Sequence, residues 1–212
     1  MDLTALRLEA AAGPTVPALL LRPWTATDAP ALVETYRDAV LRRWTGGAVD
    51  DEASAAGWVR EQERGRATGE RFAFAVVERR PDGTEGALAG HVVLKRPVAG
   101  APGAEVGYWT AAHARGRGVA PRALDALVDW AFAAFAEDGL TRLELLHQQD
   151  NTASCRVAEK TGFALTGLLP AAPPAFPLAG HLHTVVRAAR QEDRETARQE
   201  GRKADRRGGR EI

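Results

Sequence analysis

The stretch Ala114-Arg115-Gly116-Arg117-Gly118-Val119-Ala120-Pro121 runs straight into a long segment of periodic apolar residues, and its reading decides the fold. Glycines at 116 and 118 sit beside Arg115 and Arg117, so backbone N–H groups can turn toward a ligand with no Cβ in the way. Pro121 suits the first turn of a helix, where a missing N–H costs nothing. Leu124, Leu127, Val128, Ala131, Phe132 and Phe135 follow at helical spacing, which predicts a helix over about Val119 to Glu137 with one buried face. A glycine-rich turn opening a helix favours a phosphate or pyrophosphate, because free N–H groups and the positive end of the helix dipole meet there. The bland alternative is a tight turn carrying a surface arginine pair. Neither the G-x-x-x-x-G-K-S/T loop nor G-x-G-x-x-G is present, which disfavours a nucleoside triphosphate or a dinucleotide as the ligand.

Working outward, 212 residues with 45% hydrophobic and 26% charged side chains suffice for one domain with a proper core. A net charge of zero gives no basic footprint for nucleic acid. The single cysteine, Cys155, excludes an internal disulfide framework, and no cysteine–histidine grouping has zinc spacing, so no metal is expected. Acids and an arginine interrupt the apolar residues of Met1 to Ala12, which does not read as a signal peptide. No run approaches the roughly 20 apolar residues needed to cross a bilayer. These features lead us to expect a soluble, cytoplasmic protein without a membrane partner.

In chain order, residues 1–17 read as a loosely ordered lead-in and Ala18 to Pro23 as a first strand. Thr27 and Asp28 cap a helix through Val40, Arg42 to Gly47 connect, and Asp50 or Asp51 caps a second helix to about Arg66. Phe72 to Glu78 and Ala87 to Lys95 form a hairpin about the Pro81-Asp82-Gly83 turn. Ala104 to Trp109 is a strand entering the glycine turn, and after the long helix Thr141 to His147 is another. Asn151 to Lys160 is a short helix, with Phe163 to Leu168 and His181 to Arg187 as closing strands. The pattern is mixed α/β (α+β), strands and helices on one sheet. The charged stretch 188–212 reads as a solvated helix fraying into disorder, and its acids argue against a nucleic-acid arm.

Three ordered motifs carry a family resemblance. Arg115, Gly118 and Ala120 form R-x-x-G-x-A, Asn151 to Phe163 matches N-x-x-S-x-R-V-x-E-K-x-G-F, and Glu105-Val106-Gly107-Tyr108-Trp109 precedes the loop. With Leu21-Arg22-Pro23-Trp24 and Asp28-Ala29 at the start, residues 18–187 resemble the RimJ/RimL-like branch of the GNAT (GCN5-related) N-acetyltransferases. The resemblance implies the GNAT fold, a mixed central sheet whose fourth and fifth strands, here Ala104 to Thr110 and Thr141 to His147, splay to admit pantetheine. It implies acetyl-CoA as cofactor and a primary amine, of a peptide N-terminus or a small molecule, as acceptor. Trp109 and Thr110 would present backbone to the acetyl-pantetheine portion. Arg115, Gly116, Arg117, Gly118, Val119 and Ala120 would hold the pyrophosphate, and Asn151 and Ser154 would reach the cofactor from the next helix.

Acetyl transfer requires a base for the ammonium and a donor for the leaving thiolate. Strand alternation groups Glu105, Gly107 and Trp109 on one face, which makes Glu105 the candidate base. An ion-paired strand glutamate is the alternative. Many members of the family place a tyrosine where this chain has Ala158, so Ser154 is the candidate donor, or else a helix serine bonded to backbone. Trp44 is assigned to the acceptor side by analogy, with core packing as the alternative. Cys155 reads as a helix core residue with nothing near it to activate a thiolate, and the histidines at 147, 181 and 183 as structural. The missing tyrosine also leaves open a non-catalytic GNAT-fold module that binds an acyl-CoA as a sensor. A homodimer is an assembly the sequence leaves open.

Overall fold

Arg71 to Arg79 and Glu85 to Lys95 are rich in β-branched and aromatic residues, and their hairpin seeds a sheet buried on both faces. The computed structural model describes residues 6–45, 47, 49–96, 98–174, 176–190 and 192. Its strands are β1 (Leu8–Ala10), β2 (Leu19–Pro23), β3 (Arg71–Arg79), β4 (Glu85–Lys95), β5 (Gly103–Thr110), β6 (Arg142–Gln148), β7 (Ala164–Leu169) and β8 (Gly180–Val186). They form one sheet in the order β1-β2-β3-β4-β5-β6-β8-β7. Helices α1 (Ala29–Tyr36), α2 (Ala39–Thr45) and α3 (Glu52–Thr68) cover one face, and α4 (Val119–Ala134) and α5 (Thr152–Lys160) the other.

Every neighbouring pair is antiparallel except β5 and β6, which run parallel and are joined by α4. Parallel neighbours need a crossover of this length, and α4 supplies it by burying Leu124, Leu127, Val128, Ala131 and Phe132 against the sheet. Each fully buried leucine contributes roughly 1.5–3 kcal/mol.

The N-terminal lead-in is more structured than expected. Leu8–Ala10 pairs with β2, and the Arg122 guanidinium of α4 donates to the Ala11 and Pro17 carbonyls. The helix expected through Val40 ends instead at Tyr36. Asp38 then accepts from Val40 N–H at 3.1 Å and restarts the chain as α2, so residues expected as a connection are helical through Thr45. At the other end, Arg190 pairs with Asp125 and Asp129 of α4, so the first residues of the charged stretch are held against the domain. Residues 193–212 lie outside the described residues.

The opening motif has a packing explanation. Arg22 makes a two-pronged contact with Asp28, both bonds 2.8 Å, and a 2.7 Å bond to Glu85. Trp24 donates from Nε1 to His91 Nδ1 at 3.0 Å, and His91 stacks on Trp109. Burial, with Arg71 and Lys95 adding like charge, pulls His91 down to about 3. The unfolded chain therefore takes up a proton near pH 6.5 that the native state refuses until about pH 3. Stability is full above pH 6.5 and falls below it, by about 1.4 kcal/mol per pH unit for this one group. His147 and His183 are also lowered by burial and act in the same sense. Denaturant unfolding at pH 7.5 and 5.5 should show the loss, with a slope about one proton shallower in His91→Phe. An equal slope in both proteins would assign the effect elsewhere.

Candidate active site

The β5–β6 pairing stops at Val106↔Leu145, although β5 continues to Thr110 and β6 to Gln148. The strands therefore part at their carboxyl ends, as the family resemblance implied for this pair. The bond from Ala111 N–H to Ala89 O at 2.9 Å fixes which residues of β5 are spent on β4. By antiparallel alternation, residues 107, 109 and 111 bond to β4, while Tyr108 and Thr110 aim their N–H and C=O toward the gap. On the facing strand, the bond from Gln149 N–H to Ala179 O assigns the odd-numbered residues to β8, so Leu146 and Gln148 face the gap. Thr110, one of the residues expected at the cofactor, is thus among those whose backbone faces the gap. Trp109 does not face the gap: its backbone belongs to the β4 ladder, with its carbonyl against Gly90, and Tyr108 stands beside Thr110 at the opening.

The gap leads to the glycine turn. Gly116 and Gly118 have φ of +73° and +70°, a region open to glycine at little cost, and Gly118 caps α4 without a side-chain bond. The first α4 N–H groups, at Val119 and Ala120, have no preceding carbonyl to bond and are exposed to a ligand at the positive end of the helix. The arginine side chains are placed differently from the sequence reading. Arg115 pairs with Asp38, and Arg117 with Glu78 at 2.7 Å, so their charge is largely compensated and the backbone N–H groups are left as the candidate anion cradle.

Ser154 lies on the first turns of α5, largely buried, and accepts a hydrogen bond from the Tyr108 hydroxyl at 3.0 Å. Burial pushes Tyr108 up to about 12, with the Ser154 bond opposing, so the phenol keeps its proton and leaves the Ser154 hydroxyl hydrogen free to donate elsewhere. Tyr108 was missed as a site residue, since the cross-element bond has no sequence signal. Asn151 caps α5, its Oδ1 accepting from Ser154 N–H at 3.3 Å, and its amide nitrogen stays available.

Glu105 sits where β5 and β6 still pair. In register across the sheet stand Arg71, Lys95, Glu105 and Glu144, and Glu105 ion-pairs with Lys95. These residues and Arg142 line a cavity of about 530 Å³. Gly107, next on the same face, carries no side chain between Glu105 and Trp109, and Val93 Cγ1 from β4 stands 3.3 Å from where its Cβ would be. Trp44 is half-buried in α2, under the Arg43 guanidinium at 4.7 Å, and Arg43 reaches Asp150 beside α5 at 2.7 Å. This arrangement puts Trp44 on the helix that borders the end of β6.

Cys155 is corrected as well. It is not surrounded by inert core: His147 Nε2 lies 3.7 Å and His181 Nδ1 3.3 Å from its Sγ, with His183 completing the cluster.

A sheet parted beside a glycine-turned helix start defines a domain that takes an extended, phosphate-bearing ligand between two strands. The model of the acetyltransferase (GNAT) domain matches residues 18–164, and the chain belongs to that family. Acetyl transfer is accordingly its chemistry, with acetyl-CoA as donor. A search of curated proteins gives no match. Among solved structures, the chain is similar to Mycobacterium smegmatis RimJ in complex with CoA-disulfide, at 24% identity and TM-score 0.69, covering 87% of each chain. It is also similar to a putative ribosomal-protein-serine acetyltransferase from Vibrio cholerae, at 23% identity and TM-score 0.68, covering 86% of this chain and 98% of that one. A third, RimL, a ribosomal-protein alpha-N-acetyltransferase in complex with coenzyme A, gives 20% identity and TM-score 0.66 over 81% and 94%.

Proposed function

We propose that this chain is a cytoplasmic, RimJ/RimL-like N-acetyltransferase that acetylates a modest primary amine, either a peptide N-terminus or a small metabolite. The observation that carries the reading is the unpaired backbone of Tyr108 and Thr110, facing Leu146 and Gln148 and leading to the glycine turn. Backbone groups left without sheet partners are costly unless a ligand bonds them, and the amides of pantetheine fit that requirement. When bound, acetyl-CoA supplies an activated acetyl group as a thioester. The backbone of residues 116–120 holds the pyrophosphate, Tyr108 and Thr110 orient the pantetheine arm, and Asn151 reaches it from α5. Glu105 takes the ammonium proton, so that the neutral amine can attack. Ser154, held by Tyr108, gives its hydroxyl proton to the departing sulfur. Trp44 borders the acceptor. The catalytic unit is residues 18–187, with β1 an added edge strand.

The hydrogen bond between Tyr108 and Ser154 fills the role left vacant by Ala158, which favours an enzyme over a silent acyl-CoA sensor. Tyr108→Phe should lower kcat by about 2- to 10-fold with little change in the KM for acetyl-CoA, the loss of one orienting hydrogen bond. An unchanged kcat would detach Tyr108 from the chemistry.

The acidic run at 50–52 does not favour a polycation. Asp51 caps α3, accepting from Ser54 N–H at 2.7 Å, and Asp50 lies 3.6 Å from Arg42. Thiol release should be followed with N-terminal peptides, amino acids, polyamines and aminoglycosides as acceptors. We expect turnover with the first two. Preferential turnover of polyamines or aminoglycosides, reduced by Asp50→Asn with Asp51→Asn, would overturn the acceptor class. CoA binding without thiol release from any acceptor would favour the sensor.

A further inference from the structure

We propose that His147, Cys155, His181 and His183 form a structural site for a zinc-class divalent cation, tying α5 to β6 and β8. The four candidate ligand atoms all lie within 4.8 Å of one another. Tetrahedral zinc with Zn–S of about 2.3 Å and Zn–N of about 2.0–2.1 Å holds sulfur and nitrogen about 3.5 Å apart. Cys155 Sγ stands 3.7 Å from His147 Nε2 and 3.3 Å from His181 Nδ1, on either side of that value. Three imidazoles sharing one such ion have ring centres roughly 5 Å apart. Here the centroids are 5.1 Å apart for His147 and His183, 5.4 Å for His147 and His181, and 5.9 Å for His181 and His183.

Two further observations point to a ligand. His147 Nδ1 lies 2.8 Å from the Gln148 carbonyl and donates to it, which fixes the tautomer and turns the lone pair of Nε2 toward Cys155. A metal-bound imidazole is commonly held this way through its other nitrogen. His183 is 3% exposed, and neither of its ring nitrogens has a hydrogen-bond partner; the Phe163 backbone lies nearby without meeting hydrogen-bond geometry. A buried imidazole with both nitrogens orphaned is costly in a purely structural cluster. A bound cation takes the lone pair of one of the two nitrogens and removes that share of the cost.

The donor set selects the ion class. Three imidazoles and one thiolate suit Zn²⁺ and exclude the hard, oxygen-seeking Mg²⁺ and Ca²⁺. Four protein ligands close the coordination shell, so the ion holds structure and offers no open position for water or substrate. Binding replaces the Cys155 thiol proton, which is released to solvent as the Cys155 sulfur–metal bond forms. The anchored segment is the start of α5, which carries Asn151 and Ser154. The inference does not depend on the acceptor or on the assignment of the acetyl-transfer residues.

The test uses the tag-free full chain, stripped with a chelator and titrated with Zn²⁺ against a chromophoric competitor. We expect one equivalent bound, a zinc-dependent rise in Tm, and Co²⁺ substitution giving four-coordinate d–d bands with a thiolate-to-cobalt charge-transfer band. Cys155→Ser should abolish the charge-transfer band and weaken zinc binding by at least about 100-fold, beyond the loss seen for outer-shell partners. Because His183 is buried and its replacement can unfold the chain, His181→Gln at a less buried ligand serves as the second variant, with the same loss of zinc affinity expected. Substoichiometric zinc binding, a cobalt spectrum without thiolate charge transfer, or wild-type affinity in Cys155→Ser would each overturn the site.

Discussion

Gly118→Trp should lose detectable CoA binding in calorimetry while remaining folded. Gly118 has φ +70°, so any other residue there carries strain of about 1–2 kcal/mol, enough to lower Tm by roughly 2–8 °C. The free protein offers no obstruction beyond that, since the nearest atom to an added Cβ is Arg122 Cδ at 3.9 Å. The indole would instead occupy the space before Val119 and Ala120, where the pyrophosphate must approach the backbone. Arg115 and Arg117 are engaged by Asp38 and Glu78, so their side chains are poorly placed to rescue the anion. Gly139→Trp is the matched control, with φ +80°, nothing within 4 Å of an added Cβ, and a position beyond the other end of α4. It should show a comparable loss of stability and normal CoA affinity. Wild-type affinity in Gly118→Trp would remove the glycine turn from the cofactor site.

The parts of this fold legible in sequence are those with a local cause. The α4 stripe, the Pro81-Asp82-Gly83 hairpin and the Asp51 cap each follow from residues within a few positions of one another. What escaped depends on partners far apart in the chain. A three-residue strand such as Leu8–Ala10 has too little alternation to be recognised, and it is ordered by β2 and by Arg122, more than a hundred residues on. Whether Trp109 or Tyr108 turns its backbone to the gap depends on which edge of β5 bonds to β4, whereas side-chain alternation specifies only faces. The histidine–cysteine cluster draws single residues from β6, α5 and β8, so no short spacing announces it. Asp38 closes both kinds of error at once. It splits the predicted first helix and pairs with Arg115, the arginine expected to greet the phosphate.

Glu105→Gln should lower kcat by roughly 10²–10⁴-fold, the range for loss of a general base, with acetyl-CoA affinity unchanged. The geometric case rests on the face it shares with Gly107 and Trp109, one pair below the point where β5 and β6 part. Val93 Cγ1 stands 3.3 Å from where a Gly107 Cβ would be, so an amine would reach the carboxylate from the cavity that Glu105 itself lines. The ion pair with Lys95 is the competing explanation for this glutamate. Both side chains are more than a third exposed, so that pair contributes only about 0–1 kcal/mol, and the substitution should barely move Tm. A merely structural glutamate would give the reverse pattern, with a small stability change and a normal rate. Glu144, directly opposite in register and bonded to Arg142 at 2.7 Å, shares the same cavity and tests specificity of place. Glu144→Gln should retain nearly full activity, because Glu144 stands on the neighbouring strand, held by Arg142, one strand further from Gly107 and Trp109. A normal rate in Glu105→Gln together with a collapsed rate in Glu144→Gln would move the base to β6, and normal rates in both would leave proton removal to water or to the acceptor itself.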